Sequence, residues 1–443
     1  MAHSMPPTDL AHPVRRELGL PSCIAMVVGN MIGMGIFLIP ASLAPYRLNA
    51  LIGWAVTIIG CVALSLIFSR LAKVHPEADG PYAYIKAELG PAPAHVVMTI
   101  FWFGAFATEA ALATGVVGYL VEVVPSLASI PAPLVALALL WVITASNSFG
   151  VKTGGRTQIF STVLKLVPLL LVIAIGVVTV THEPYGSAWS VPHTEIGAVP
   201  IMTSVTITLY AMLGIESASI PALRVKNPSV NIPLATMIGT LFVALVYIGV
   251  SVVPMLLIPT PELAASSSPL SIVVRRFTGD NVSRWIDLFV VVSGLGALNG
   301  WALINAEATR TMADNNVLPK VFGHINRFGS PGAGLVINSA LASLLVLMSY
   351  NKTMVEAFTF YTKIVSAGEL PMYFCVAAAI AVLWWRGELR RGSAVTLAAV
   401  TIAFLFVFVA FAGAGTLADV ALVILAVGSF VLFRLKHRKT VRP

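Results

Sequence analysis

Twelve stretches of predominantly apolar residues, each long enough to cross a bilayer as a helix, take up most of this 443-residue chain. They run near 20–45, 51–74, 94–124, 132–150, 157–181, 198–224, 231–258, 283–312, 333–350, 354–385, 392–414 and 416–434. A spanning helix needs about 20 such residues. Lipid offers no partner to an unpaired backbone N–H or C=O, so each stretch must satisfy its own backbone as a helix. Composition agrees: 58% of the residues are hydrophobic and 10% charged, against about 25% charged in a soluble domain. A soluble multidomain fold is excluded, and an all-α polytopic membrane protein of about twelve transmembrane helices is expected.

Charge orients these spans. The opening, "MAHSMPPTDLAHPVRREL", is polar and basic and lacks the short apolar core and small-residue site of a cleaved leader. Basic residues recur in alternate connections: Arg70, Lys73 and Lys86; Lys152 and Arg156; Arg224 and Lys226; Arg310, Lys320 and Arg327; Arg386, Arg390 and Arg391. The tail "RLKHRKTVRP" continues the series, whereas "THEPYGSAWSVPHTEIG" on the other side has no Lys or Arg. Positive charge stays on the cytoplasmic side, so both termini are expected there, in a bacterial inner membrane. Arg275, Arg276, Arg284 and Lys352 are exceptions. This asymmetry accounts for the net charge of +8 without nucleic-acid binding. The expected divisions are a cytoplasmic segment at 1–19, a core of ten helices at 20–385, two further helices at 386–434 and a basic tail at 435–443. Cys23, Cys61 and Cys375 all fall in apolar segments and read as small packing residues.

The first span is interrupted at its midpoint by "GNMIGMGIF", Gly29 to Phe37. Each glycine costs about 1 kcal/mol against alanine inside a helix. The sixth span carries a second interruption, "LYAMLGIESASIPALRV", where Gly214 precedes Glu216, two serines and Pro221. The two stand in corresponding places if spans one to five are repeated as six to ten. Paired broken helices mark the binding site of a transporter, because unwound backbone at the bilayer midplane can hold a solute. The alternative is a glycine-rich packing seam.

On four stretches the chain resembles the amino acid–polyamine–organocation transporters. These are "GNMIGMGIFLIPASLA", "GWAVTIIGCVALSLIFSRLAKVHPEADGPYAY", "LYAMLGIESASIPALRVKNPSVNIPLATMIGT" and "LNGWALINAEATRTMADNNVLP". Within that superfamily it is most similar to the bacterial basic amino acid/polyamine antiporters, the branch of the arginine/agmatine antiporter. The resemblance implies a LeuT-like five-plus-five inverted repeat, here about 20–181 and 198–385, with two extra C-terminal helices. It also implies alternating access without sodium and, often, a homodimer.

The resemblance also implies roles for particular residues. Gly29, Asn30, Met31, Gly33 and Gly35 match the motif that cradles a substrate carboxylate, where N–H groups at a half-helix start favour an anion. Relatives carry a small hydroxyl residue where this chain has Met34, which enters the pocket or points into a neighbouring helix. Trp301 matches an aromatic that stacks on the substrate's long side chain, and Tyr210 stands in place of a tryptophan. Such faces attract ammonium and guanidinium groups. Glu216 matches a gating glutamate. A carboxyl at that depth must be paired, neutral or wet. Tyr82 matches an inner-gate aromatic whose usual helix-ten partner falls on Met372. Glu109 replaces an asparagine near the substrate and is expected either to face a second positive charge or to pair with Lys165. Lys165 stands where sodium sits in sodium-coupled relatives, or else snorkels. Lys363 and Glu369 in the tenth span are candidates for the pathway.

Together these readings give a sodium-independent secondary transporter of amino acids or their amines. Basic amino acids or polyamines of the arginine/agmatine or putrescine type are favoured, and a proton-coupled or exchanging neutral amino acid permease is the alternative. A channel would need a continuous pore and rings of like residues, which paired broken helices oppose. No nucleophile–base or metal-ligand spacing occurs within the spans, so neither an enzyme, a metal nor a cofactor is expected. The partners are the small-molecule substrate and the lipid bilayer.

Overall fold

The computed structural model describes residues 18–76, 78, 80–150, 155–182, 195–217, 225–389 and 393–440. The basic residues Arg15, Arg16, Lys152, Arg224, Arg390 and Arg391, together with Pro221, lie outside the described residues. Among the described residues sixteen α-helices follow one another. They are α1 (Leu20–Met31), α2 (Gly35–Leu43), α3 (Leu48–Val74), α4 (Gly80–Leu89), α5 (Pro91–Val123), α6 (Ala132–Ser148), α7 (Gly155–His182) and α8 (Ala198–Met212), then α9 (Pro228–Leu257), α10 (Thr260–Ala265), α11 (Pro269–Thr278), α12 (Asp280–Asp314), α13 (Gly332–Met348), α14 (Met354–Trp385), α15 (Ser393–Ala414) and α16 (Thr416–Thr440). Six of them are long and apolar enough to cross a membrane, the bent pair α1–α2 makes a seventh span, and four more are shorter apolar helices. The remaining expected span, 416–434, falls within α16. The boundaries follow local chemistry. Pro91, Pro228 and Pro269 open their helices at the position where a missing N–H costs nothing. Thr353 and Glu356 form a reciprocal capping box at the start of α14.

The two halves pack as images of one another. Helix α1 lies on α9 as α8 lies on α3, and α14 lies on α5 as α7 lies on α12. In lipid no hydrophobic force drives helices together, so small residues and polar clasps must do so. Both devices appear, the first in mirrored places. A Cβ on Gly53 of α3 would stand 2.6 Å from Ser204 Cβ of α8, and one on Gly239 of α9 would stand 2.6 Å from Val27 of α1. Thr57 and Thr208 share a hydrogen bond of 2.7 Å between α3 and α8, and Ser65 and Thr240 one of 3.0 Å between α3 and α9. A short β-bridge between Leu18 and Val225 ties the entry to α1 to the entry to α9.

Three short helices, α4, α10 and α11, lie outside the twelve expected spans. On one face of the molecule, Glu88 of α4 takes His75 at 2.6 Å and Arg386 at 3.1 Å, joining the ends of α3 and α14. On the other face, α10 and α11 pack over α2. There Arg275 reaches Glu122 at 2.6 Å and Asp280 at 3.3 Å, and Arg276 reaches Glu262 at 2.9 Å. The Glu122 carboxylate raises the pKa of the Arg275 guanidinium. Two of the exceptions to the charge asymmetry are therefore neutralised where they stand. Lys352 lies over the Phe360 ring at 5.7 Å.

Gly53→Val should drive α3 away from α8, because the backbone of Ser204 and Val205 also lies within 3.3 Å of the added Cβ. Overpacking of this kind costs about 1–3 kcal/mol. A lower melting temperature in detergent is expected, with a similar loss for Gly239→Val.

Candidate substrate site

Helix α1 ends at Met31 and α2 begins at Gly35, with a bend of 44° between the two. Across the break the Ile32 N–H still reaches the Val28 carbonyl at 2.9 Å, and the Gly33 N–H turns back to Met31 at 2.8 Å. Other helices then reach carbonyls in the break and in the first turn of α2. The Tyr247 hydroxyl donates to Met31 O at 2.7 Å, the Lys165 ammonium to Gly29 O at 3.2 Å, and the Tyr119 hydroxyl to Phe37 O at 2.7 Å. The sixth span breaks in turn. Helix α8 stops at Met212, and Gly214 takes φ +101°, a conformation open to glycine. A Cβ there would stand 3.3 Å from the backbone of Asn30 and Met31. The two interruptions therefore touch, backbone to backbone.

Beside this contact lies a small cavity. It is lined by Asn30, Met31, Gly33 and Gly35 from the first span, Tyr210 and Leu213 from the sixth, Trp301 from α12, Phe101, Ala105 and Thr108 from α5, and Glu369 from α14. Gly33 faces open space, and Gly35 lets the Tyr210 ring lie 2.6 Å from where a Cβ would be. The edge of Tyr210 packs on Phe358 at 5.8 Å between centroids. The volume is about 30 Å³, room for a water or two. Any larger solute must part these walls.

The structure brings together six of the expected site residues here: Asn30, Met31, Gly33, Gly35, Tyr210 and Trp301. Gly214 adjoins the cavity through its backbone alone. Met34 is not on the wall. Its side chain is fully buried against Gly115 of α5 and Gly294 of α12, so it points into neighbouring helices. Glu109 is not on the wall either. It is 1% exposed and accepts hydrogen bonds from Asn305 at 3.1 Å and Ser339 at 3.3 Å. Nor does it pair with Lys165, which is 4% exposed and donates to Gly29. No ion pair among the described residues includes Lys165.

Tyr82 and Glu216 meet in a second cavity of about 480 Å³, opening toward the face of α4 and the end of α12. Met372 lines it too, so the position that replaces the usual helix-ten tyrosine does face Tyr82 across the same space. The Tyr373 hydroxyl donates to Glu216 at 3.3 Å. Phe101 belongs to both cavities and stands between them. Neither Phe101 nor Tyr373 is distinguishable in the sequence from an ordinary packing aromatic. The opposite side is closed by α10 and α11 and by the Thr359–Ser42 hydrogen bond of 2.8 Å.

The sequence matches the amino acid permease family over residues 18–431. The chain belongs to that family. The permease is 30% identical over 334 residues to the cadaverine/lysine antiporter of Escherichia coli (strain K12), covering 75% of each chain. It is 27% identical over 368 residues to the putrescine transporter PotE of Haemophilus influenzae, covering 83% of this chain and 84% of that one. Among solved structures it is similar to Mhp1, a nucleobase-cation-symport-1 family transporter in a closed conformation with bromovinylhydantoin bound. The TM-score is 0.54, the identity 14%, and the coverage 90% and 92% of the two chains. That likeness carries the fold: an inverted repeat with broken first and sixth helices.

The position of Glu109 yields a test on the permease. Glu109→Gln should leave the ratio of affinities for basic and neutral solutes unchanged in binding assays. A loss confined to basic solutes would put the Glu109 carboxylate back on the cavity wall.

Proposed function

We propose that this permease is a secondary antiporter of the bacterial inner membrane that exchanges basic amino acids for the corresponding diamines. The single observation that carries this reading is the cavity where the two broken helices touch. It joins a backbone cradle to two aromatic side chains, Trp301 and Tyr210, and a carboxylate. Relatives across three-quarters or more of the chain are named for cadaverine, lysine and putrescine. Lysine and cadaverine share a long apolar stem with a terminal ammonium, a shape suited to aromatic faces.

In this reading the start of α2, beside Gly33, takes the α-carboxylate of an amino acid, where the N–H groups of a first helical turn and the helix dipole favour an anion. Trp301 and Tyr210 take the stem and the cation. The larger cavity is the cytoplasmic vestibule, because Arg70, Lys73, Lys86, Lys320 and Arg386 cluster on its face of the molecule. A cation entering there meets Glu216 and Glu307, which line the vestibule, and then Phe101. The opposite face is shut, so the cycle is captured on its inward-facing side. Tyr82 and Met372 form the inner rim, and the Tyr373–Glu216 bond is made or broken as that rim closes.

Lys165 supplies the basis for sodium independence. Its ammonium holds a carbonyl of the first broken helix, at the place where relatives that need sodium seat the ion. A tethered charge there replaces a dissociable one. Exchange should therefore proceed equally in sodium and in choline buffers at fixed membrane potential. Lys165→Ala should abolish exchange while the protein still inserts and elutes as a single species. A steep sodium dependence of the unmodified protein would contradict this role.

Counterflow tests the reading as a whole. Proteoliposomes loaded with cadaverine, putrescine, lysine, arginine, agmatine or leucine are offered the labelled form of each. Uptake driven by basic amino acids and diamines is expected. Uptake driven by leucine alone would favour the neutral permease.

A further inference from the structure

We propose that Glu369 is the carboxylate that receives the terminal ammonium of a basic amino acid or an α,ω-diamine. This assignment rests on the exchange reading above and names the residue that sets its preference for a second positive charge.

Among the described residues, Glu369 is the one carboxylate on the wall of the central cavity. Its place follows from an unusually close helix crossing. A Cβ on Gly368 of α14 would stand 3.0 Å from Gly104 Cα and 3.2 Å from Gly104 N of α5. With the two backbones this near, the residue after Gly368 is set against Phe101 and Ala105 of α5, which line the same cavity. Two residues on, Pro371 interrupts the hydrogen bonding of α14.

Among the described residues no cation pairs with this carboxylate. It is 8% exposed, and its Oε2 has no hydrogen-bond partner. None of the ion pairs among the described residues includes it. Lys363, six residues earlier on α14, is set off round the helix and does not reach it. A buried charge without a partner is one of the costliest arrangements in a folded protein, and within the membrane it marks a functional position. Glu109 shows the contrast: similarly buried, it has Asn305 and Ser339 as donors. The Oε2 of Glu369 has no such donor, and the cavity Glu369 faces is walled by Trp301 and Tyr210.

The neighbouring turn of α14 supports the same direction of travel. Tyr373, four residues on and so near the same face, donates to Glu216, which lines the vestibule. A cation leaving Glu216 finds Glu369 as the next carboxylate inward.

Paired probes test the assignment through a ratio that a merely structural role would not move. Cadaverine is compared with 1-pentylamine and lysine with norleucine, each pair differing by one amine, in equilibrium binding to the purified full-length protein. The unmodified protein should prefer the doubly cationic member. Glu369→Gln should weaken cadaverine and lysine by about 30-fold or more, as loss of a desolvated charge partner does, and bring both preferences near unity. If the preferences persist in the variant, or all four probes weaken equally, the assignment is overturned while the exchange reading stands. Binding of neither cadaverine nor lysine by the unmodified protein would overturn the exchange reading itself. Should Glu369→Gln fail to fold, Glu369→Asp keeps the charge on a shorter arm. It should shift the preferred diamine from cadaverine toward 1,6-diaminohexane, and an unshifted length preference would overturn the assignment.

Discussion

Backbone carbonyls freed by the break in the first span have no water to turn to at that depth, and the rest of the structure is arranged around satisfying them. An unpaired peptide group in hydrocarbon costs several kcal/mol. Tyr247 from α9, Lys165 from α7 and Tyr119 from α5 each extend a polar tip to a different carbonyl between Gly29 and Phe37. Two helices are thereby tied to the interruption and a third to the first turn of α2. The sixth span adds its own unwound segment by contact, since Gly214 fits against Asn30 and Met31 only for want of a side chain. The break is thus held by the surrounding bundle, and Asn30, Met31, Gly33 and Gly35 are left to line the cavity.

Buried charge is distributed by the same logic of partners. Lys165 has a carbonyl, Glu109 has an amide and a hydroxyl, and Glu216 has the Tyr373 hydroxyl. On the outer face Arg275 and Arg276 have carboxylates. Asp287 of α12 and Glu369 each keep one buried oxygen unpartnered, and of the two Glu369 is the one that lines the central cavity. A transporter of cations needs one such group, because a site already neutralised by the protein has nothing to offer the solute. It must also be able to let go. Phe101, shared by the central cavity and the vestibule, is placed to divide the two.

Much of this was legible in the sequence, for identifiable reasons. Span number follows from the length of the apolar runs, which the bilayer fixes. The interruptions announce themselves because glycine, asparagine and proline are out of place in such runs. Trp301 and Tyr210 were readable from the motifs around them. Which face of a helix a residue occupies was not. Glu109 and Glu369 are both acidic residues in apolar spans, and only the Gly104–Gly368 contact between α5 and α14 decides that Glu369 meets the cavity. Met34 was ambiguous for the same reason, and Gly115 and Gly294 resolve it by making room for it between helices. The partner of Lys165 is a backbone carbonyl, a group every residue carries, so no side-chain pattern pointed to it. Helices α4, α10 and α11 are too short and too polar to show in a search for spans.

The central claim is that solute binds in the cavity where the two broken helices meet. Substrate protection of a single cysteine tests it most directly. With Cys23, Cys61 and Cys375 replaced, Ala105→Cys places a thiol on the wall of that cavity and Ala308→Cys one in the vestibule. Saturating cadaverine should slow modification of the thiol at position 105 by a small cationic methanethiosulfonate at least several-fold, with a smaller change at position 308. Equal rates at position 105 with and without cadaverine, in protein that still exchanges it, would contradict the account.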